Sequence, residues 1–104
     1  MKNVTINVAA EFSPHPAGRF RRHGRFTGEV FRDDLLRPAL AQSDHVTIDF
    51  SEVSGLRSSF LEEAFGGLVR VGVDAESLKK IDIVSDDPSH EVEILEYISK
   101  ALAH

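Results

Sequence analysis

Residues 4–8 and 46–50 show the strict alternation of apolar and polar side chains that is typical of a β-strand with one buried face. Each segment places Val, Ile or Phe at every second position. A third strand is predicted over residues 78–84, where Ile81 and Ile83 are two of the apolar positions. The polar residues between them indicate that one face of the sheet is only partly covered.

Helical spacing replaces this alternation in three other segments. Thr27 is placed to be the N-cap of a first helix, in which Phe31, Leu35 and Ala39 form an apolar stripe. Pro38 lies within that stripe and lacks a backbone donor. We therefore expect a kink, or a break into two shorter turns, at the proline.

The second helix is predicted to begin at Ser58 or Ser59 and to end near Gly72, with Phe65 and Leu68 on its buried side. A third helix begins after Asp86 or Asp87, with Pro88 in a favoured early position. The spacing of its large apolar residues predicts the face that it buries: Val92, Leu95, Ile98 and Leu102, backed by Ile94 and Tyr97.

The alternation of strands and helices predicts one α/β domain over residues 1–104, with a mostly parallel or mixed sheet and helices packed on it. The chain has no cysteine, so apolar burial and not disulfide formation must stabilise it. No segment has the composition of a signal peptide or the roughly 20 apolar residues of a membrane span. We therefore expect a cytoplasmic protein.

Charge is distributed unevenly along the chain. Residues 1–37 carry seven Lys or Arg against four acidic residues, whereas the remainder carries five against thirteen. The overall charge of −5 argues against a general nucleic-acid binder. Such a polar charge distribution suits the steering of a charged partner or self-association, and a homodimer is one expected form.

The segment 18–26 interleaves arginine with phenylalanine. Its four arginines form a candidate basic patch for nucleic-acid phosphates and bases: Arg19, Arg21, Arg22 and Arg25. The competing interpretation is a short strand or hairpin whose phenylalanines, Phe20 and Phe26, enter the core while the arginines face solvent. We favour the second interpretation because the rest of the chain is acidic.

Serine hydroxyls follow the second strand at the predicted start of a helix. A helix N-terminus offers unpaired amides and a favourable dipole, so a phosphate on Ser58 or Ser59 would be tolerated there. The alternative is that both serines are only helix caps, since Ser59 and Glu62 have capping-box spacing. Two adjacent glycines, Gly66 and Gly67, indicate either close packing of this helix or a smooth strip that a partner can approach.

Catalytic motifs are missing from the sequence. There is no nucleophile elbow, no phosphate-binding loop and no dinucleotide-binding glycine pattern. None of the five histidines lies three or four residues from another, so no helical metal pair is predicted. We therefore expect neither an enzyme nor a cofactor or metal site.

Several short motifs, spread over nearly the whole chain, match one family of domains. They are Pro16-Ala17-Gly18-Arg19, Thr27-Gly28-Glu29 with Phe31-Arg32, Val46-Thr47-Ile48-Asp49-Phe50, Ser58-Ser59-Phe60-Leu61-Glu62-Glu63 with Phe65-Gly66, and Ile83-Val84-Ser85-Asp86-Asp87-Pro88. With these motifs the chain resembles the STAS superfamily, named for sulfate transporters and anti-sigma-factor antagonists. It is more closely similar to the STAS-like bacterial domain family of unknown function.

The resemblance implies a four-stranded sheet with helices stacked against it. In anti-sigma-factor antagonists a serine at the position of Ser58 is phosphorylated by an ATPase of the histidine-kinase type, so the resemblance also implies such a partner. The chain differs from those antagonists in having Arg57 where they carry an acidic residue and Phe60 where they carry glycine.

From the residues and the resemblance together, the sequence predicts a non-catalytic regulatory module that binds another protein. The candidate surface for the partner combines the helix start, its acidic residues and the two glycines: Arg57, Ser58, Glu62, Glu63, Gly66 and Gly67. The alternative is a nucleotide or nucleic-acid binding module that uses the basic patch.

Overall fold

The computed structural model describes all 104 residues and contains a three-stranded parallel sheet in the order β1-β2-β3. The strands are β1 (Asn3–Asn7), β2 (His45–Asp49) and β3 (Ile81–Val84). Ile6 pairs with Ile48, which in turn pairs with Ile83, so the apolar positions of all three strands lie in one row. The mostly parallel α/β sheet is confirmed, with three strands in place of four.

Five helices accompany the sheet. They are α1 (Val8–Glu11), α2 (residues 28–42), α3 (residues 58–70), α4 (Ala75–Leu78) and α5 (Ser89–Leu102). Helix α2 widens into a π-helical segment at Phe31–Leu36, and helix α3 does so at Glu62–Gly66. No helix is long and apolar enough to cross a membrane.

The hydrophobic core lies between the sheet and helices α2, α3 and α5. Phe31, Phe60 and Phe65 are completely buried, with the ring centroid of Phe31 5.7 Å from that of Phe60 and 6.5 Å from that of Phe65. Aromatic rings in such contacts add packing energy beyond the area that they bury. On the other face of the sheet Thr5 and Asp82 are exposed, in agreement with the predicted partly covered face.

Helix α2 begins as predicted and passes through its proline. The Thr27 hydroxyl caps it by accepting a hydrogen bond from the Val30 amide at 3.3 Å. Within the π-helical segment the Arg37 amide bonds to the Arg32 carbonyl, and an α-helical segment then resumes at Arg37–Gln42. The wider turn absorbs the missing donor of Pro38 without ending the helix.

The arginine-rich segment is not a strand. Residues Arg21–His23 form a 3₁₀ turn, Phe20 is half-buried and Phe26 is 42% exposed, so the prediction that both rings enter the core is wrong. The Arg22 guanidinium lies 5.0 Å from the centroid of the Phe20 ring. Interleaved arginine and phenylalanine residues therefore suit a turn in which an arginine stacks on an aromatic ring, as well as a strand with one buried face.

Two short helices replace the predicted ends of strands. Val8 belongs to helix α1, which is capped by the Asn7 side chain, and Leu78 belongs to helix α4. Asp74 caps helix α4 by accepting a hydrogen bond from the Ser77 amide at 2.8 Å. The Asn7 and Asp74 side chains thus stabilise helix starts at positions where the apolar alternation alone predicts that a strand continues.

Helix α5 is rotated relative to the prediction. Ile94, which was expected only to support the apolar face, is fully buried, whereas Val92, Leu95 and Leu102 are 59%, 58% and 56% exposed. The helix begins after Asp87, as predicted: Pro88 is the N-cap residue, and the Asp87 carboxylate accepts a hydrogen bond from the Ser89 amide at 2.9 Å. The helix therefore carries two apolar sides, and only one of them belongs to the core.

This rotation predicts effects of very different size for substitutions at two adjacent residues. We expect Ile94→Ala to lower the free energy of unfolding by about 2–5 kcal/mol, because it leaves a cavity in the core. We expect Leu95→Ala to change it by less than about 0.5 kcal/mol at low protein concentration, because the side chain is largely in solvent. Urea denaturation of both variants measures the difference, and equal losses would show that the helix faces the other way.

Candidate partner-binding site

Ser58 lies at the exposed start of helix α3 but does not cap it. The N-cap position is occupied by Arg57, which makes no side-chain capping bond, so the prediction of a serine cap is wrong. The Ser58 hydroxyl instead donates a hydrogen bond to a carboxylate oxygen of Glu93 at 2.8 Å. This bond links the first turn of helix α3 to the first half of helix α5.

A second hydroxyl bonds to the same carboxylate. The Tyr97 hydroxyl donates to the Glu93 oxygen that also accepts from Ser58, at 2.5 Å. The hydrogen bond to Glu93 raises the pKa of Tyr97, since ionised tyrosine would face a carboxylate without the shared proton. Glu93 thus holds two hydroxyl groups and accepts from both of them.

Ser59 is half-buried, and its predicted capping box with Glu62 is not formed. The Glu62 carboxylate turns instead to two arginines. Arg70 contacts it at 2.6 Å and Arg19 pairs with its other oxygen. Charge-assisted bonds to guanidinium groups are stronger than a bond to a backbone amide, which explains why the box is not used.

The loop before Ser58 is fixed to the rest of the protein. The Ser54 amide bonds to the Pro14 carbonyl at 2.9 Å, and the Ser54 hydroxyl lies 2.8 Å from His15 Nδ1. Glu52 has a φ of 68°, which is a left-handed backbone conformation. This conformation is unfavourable for any residue other than glycine, so the surrounding structure must hold it in place. The loop therefore presents Arg57 and Ser58 from a defined backbone.

Beneath this end of helix α3 lies a charge network whose centre is buried. The Arg32 guanidinium contacts the Glu63 carboxylate at 2.5 Å, and both side chains are less than 10% exposed. Arg32 also bonds to Asp33 at 2.8 Å through its Nε atom. Burying two charges is costly unless each is paired, and here each has a close partner of opposite charge.

The outer part of the network is more exposed. The hydrogen bond from Arg70 lowers the pKa of Glu62, and the hydrogen bond from Arg32 lowers the pKa of Asp33. A carboxyl group whose pKa is lower in the folded state than in the unfolded state stabilises the fold at pH values above the ordinary carboxyl pKa. This contribution is lost as the pH falls through the lowered values.

The two glycines of helix α3 make room for these ion pairs. A Cβ atom on Gly67 would lie 2.6 Å from an Arg32 nitrogen, and one on Gly66 would lie 2.5 Å from a Glu62 oxygen. Both glycines are buried, as is Glu63. Of the candidate partner-binding residues, therefore, only Arg57, Ser58 and in part Glu62 are accessible at the surface.

The arginines of the candidate basic patch have different environments. Arg19 is paired with Glu62 and lies 3.5 Å from Glu63, and Arg21 is paired with Asp34 at 3.0 Å. Arg22 stacks on Phe20, and Arg25 is exposed. A shallow groove lies beside Arg21 and Arg22. Carboxylates thus already neutralise half of the patch.

Ser58, Glu93 and Tyr97 form a cluster of hydrogen bonds, in which the Glu93 carboxylate is the group that accepts the Ser58 proton. A nucleophilic serine needs a base that can remove its proton, and a histidine most often fills that role. His90 bonds to Ser85 at 2.6 Å and not to Ser58. No group of three or more histidine, aspartate or glutamate side chains is placed to hold a metal ion.

Comparison with known proteins assigns the fold to a family. A model of the STAS-like domain of unknown function (DUF4325) matches residues 27–91, which run from the start of helix α2 into helix α5. The chain belongs to this family of STAS-like domains. No curated protein and no solved structure matches it.

Sequence reasoning missed Glu93 as the partner of Ser58 and Tyr97 as a second donor to Glu93. They lie 35 and 39 residues further along the chain, and nothing in their spacing marks them as neighbours of a serine. It also missed the ion pair of Arg32 and Glu63. The sequence did contain a signal for that pair. Gly66 and Gly67 follow Glu62 and Glu63 by one helical turn, and adjacent glycines in a helix indicate that large side chains from elsewhere pack over them.

The network predicts different effects of alanine at the two glycines. Alanine favours a helix over glycine by about 1 kcal/mol. At Gly66 we expect this gain to be kept, because the Glu62 side chain is 24% exposed and can move toward solvent. At Gly67 we expect a net loss of about 1–3 kcal/mol, because buried Arg32 cannot move without leaving Glu63. Thermal or urea unfolding of both variants tests this, and a stabilised Gly67→Ala protein would contradict the arrangement.

Proposed function

We propose that this chain is a non-catalytic regulatory module that binds another protein through the start of helix α3. The observation that carries the proposal is the exposed Ser58 hydroxyl, which is held by Glu93 and is not needed as a cap. Membership of the STAS-like family supports a binding role by analogy. An ATPase of the histidine-kinase type is the partner that the resemblance favours.

Phosphorylation of Ser58 would act directly on this contact. Transfer of the terminal phosphoryl group of ATP to Oγ yields ADP and releases the hydroxyl proton to a base of the kinase, so Ser58 no longer has a proton to donate to Glu93. The phosphate adds about −1.5 to −2 charge beside a carboxylate, and like charges at this distance repel each other. Phosphorylation would therefore detach the start of helix α3 from helix α5 and place a negative group beside Arg57.

The environment of Ser59 makes it a matched comparison for Ser58. Ser59 follows it in the same helical turn but makes no side-chain hydrogen bond to helix α5, and it is less exposed. A kinase that approaches from solvent would reach Ser58 first. Phosphate on Ser58 and not on Ser59 is therefore part of the proposal.

The alternative of nucleic-acid or nucleotide binding has less support. Arg19 and Arg21 are paired with carboxylates, and a phosphate would have to displace Glu62 or Asp34 to reach them. The groove near Arg22 is shallow and includes Glu29, which repels phosphate. No specific observation favours this function over protein binding.

We expect incubation with ATP and an extract of the native host to add one phosphate to the wild-type chain. Fragment mass spectrometry should place that phosphate on Ser58. Ser58→Ala should abolish it and Ser59→Ala should retain it. Phosphate found on Ser59, or a chain that remains unmodified while the extract phosphorylates other proteins, would contradict the switch.

Partner binding is then compared on immobilised variants. We expect Ser58→Ala to retain the partner, and Ser58→Asp to weaken its binding at least tenfold, because an added charge must be desolvated on docking. Ser59→Asp is the control for charge alone. If Ser58→Asp and wild type bind equally, the surface lies elsewhere.

A further inference from the structure

Strand β1 is an edge of the sheet, and its outer side pairs with no other strand. The hydrogen bonds of the central strand β2 show which residues of β1 face that side. The His45 amide bonds to the Lys2 carbonyl just before β1, at 3.3 Å, whereas the next amide of β2 bonds to the carbonyl just before β3, at 2.9 Å. Successive residues of a parallel strand thus direct their backbone groups to opposite sides. Because Lys2 directs its carbonyl toward β2, the residues whose backbone groups point away from β2 are Asn3, Thr5 and Asn7.

The free edge of β1 has little protection against pairing with a further strand. Native proteins usually place a charge, a proline or a bulge on such an edge. The five residues of β1 include no charged residue and no proline, whereas β3, at the opposite edge, contains Asp82. Only one end of β1 is covered, because the Glu11 carboxylate accepts a hydrogen bond from the Asn7 amide at 2.6 Å. The backbone groups of Asn3 and Thr5 are left for another strand.

The apolar row of the sheet is also incomplete at this edge. Val4 lies in the same row as Val46, but Val46 is completely buried and Val4 is only half-buried. On the other face Thr5 is exposed, whereas its neighbour Thr47 is half-buried. One more strand beside β1 would cover Val4 and extend the row.

The sequence of β1 has the same pattern in both directions. It reads Asn-Val-Thr-Ile-Asn, with an asparagine at each end, a β-branched aliphatic residue next to each asparagine, and a threonine at the centre. An antiparallel copy of this strand, centred on the threonine, would therefore match it position by position. Paired threonines are favourable across strands, and no like charges lie opposite each other. The pairs would be Asn3 with Asn7, Val4 with Ile6, and Thr5 with Thr5.

We propose that β1 pairs antiparallel with β1 of a second copy of this chain. A twofold axis perpendicular to the sheet at Thr5 relates the two strands and joins the sheets into one of six strands, three from each copy. The helices of both copies then lie on the same face, where Val4 of each copy contacts Ile6 of the other. Each Thr5 amide donates to the Thr5 carbonyl of the other copy. A second copy is the chosen partner because only self-pairing requires β1 to match in both directions.

Charges at the ends of β1 neither drive nor prevent this pairing. Lys2 and Asp44 lie together at one end, where the Asp44 carboxylate accepts a hydrogen bond from the Lys2 backbone amide. Glu11 lies at the other end, so in the dimer it approaches one positive and one negative side chain of the second copy. The dimer therefore depends on backbone hydrogen bonds and the apolar row. It uses no residue of the Ser58 cluster, so the inference is independent of the proposed function.

Sedimentation velocity of the purified chain from about 10 µM to about 1 mM measures the association. The contact is smaller than a standard interface, so we expect a dissociation constant within this range. Thr5→Pro should raise it roughly tenfold or more, because proline removes the outward amide and leaves the bonds to β2 intact. Thr5→Val keeps that amide and should form dimers as wild type does.

A charge placed on the twofold axis tests the register. Thr5→Lys and Thr5→Glu should each weaken the dimer, because each residue lies opposite its own copy and like charges then meet. Mixing the two variants should restore association, since lysine then lies opposite glutamate. Val84→Lys is the matched control, because Val84 is exposed on the same face of the sheet but at its other edge. It should leave the dimer unchanged.

Amide hydrogen exchange locates the contact within the strand. The Thr5 amide should exchange more slowly by roughly twofold or more at about 1 mM than at about 10 µM, whereas the Val4 and Ile6 amides should not change, because they already bond to β2. A chain that stays monomeric over the whole range would overturn the proposal. So would a dimer in which exchange at Thr5 is not slowed. Circular dichroism confirms that each variant is folded.

Discussion

The buried ion pair between Arg32 and Glu63 joins helix α2 to helix α3, and much of the surrounding sequence accommodates it. Gly28 lets the first turns of these helices approach closely, since a Cβ atom there would lie 2.5 Å from the Phe60 carbonyl oxygen. Gly67 then gives the Arg32 side chain the space to reach Glu63. Charges placed between two helices demand this closeness, because any separation would leave each charge unpaired away from water.

The position of the candidate site follows from this pair. With helix α3 fixed against helix α2, its first turn projects beyond the network and places Ser58 next to Glu93 of helix α5. The outer arginines are used in the same network, as Arg19 and Arg70 both contact Glu62. The arginine-rich segment looks like a nucleic-acid site in the sequence, but one of its arginines, Arg19, belongs to the ion-pair network that stabilises the fold.

The sequence predicted the fold better than the site. Two strands and the cap at Thr27 follow from local patterns, because backbone geometry imposes a period of two or of 3.6 on buried side chains. The orientation of helix α5 could not be predicted, since Ile94 and Leu95 are equally apolar and only tertiary packing decides which is buried. The contact of Ser58 with Glu93 depends on how two distant helices meet, and no local pattern records it.

A double-mutant cycle on Arg32 and Glu63 tests most directly whether their pairing holds helix α2 on helix α3. We expect Arg32→Met alone to lower the free energy of unfolding by about 3–5 kcal/mol, because it leaves Glu63 buried without its closest partner. Adding Glu63→Leu should restore part of that loss, with a coupling energy of about 2 kcal/mol or more. If the losses of the two single variants simply add in the double variant, the pair does not have this role.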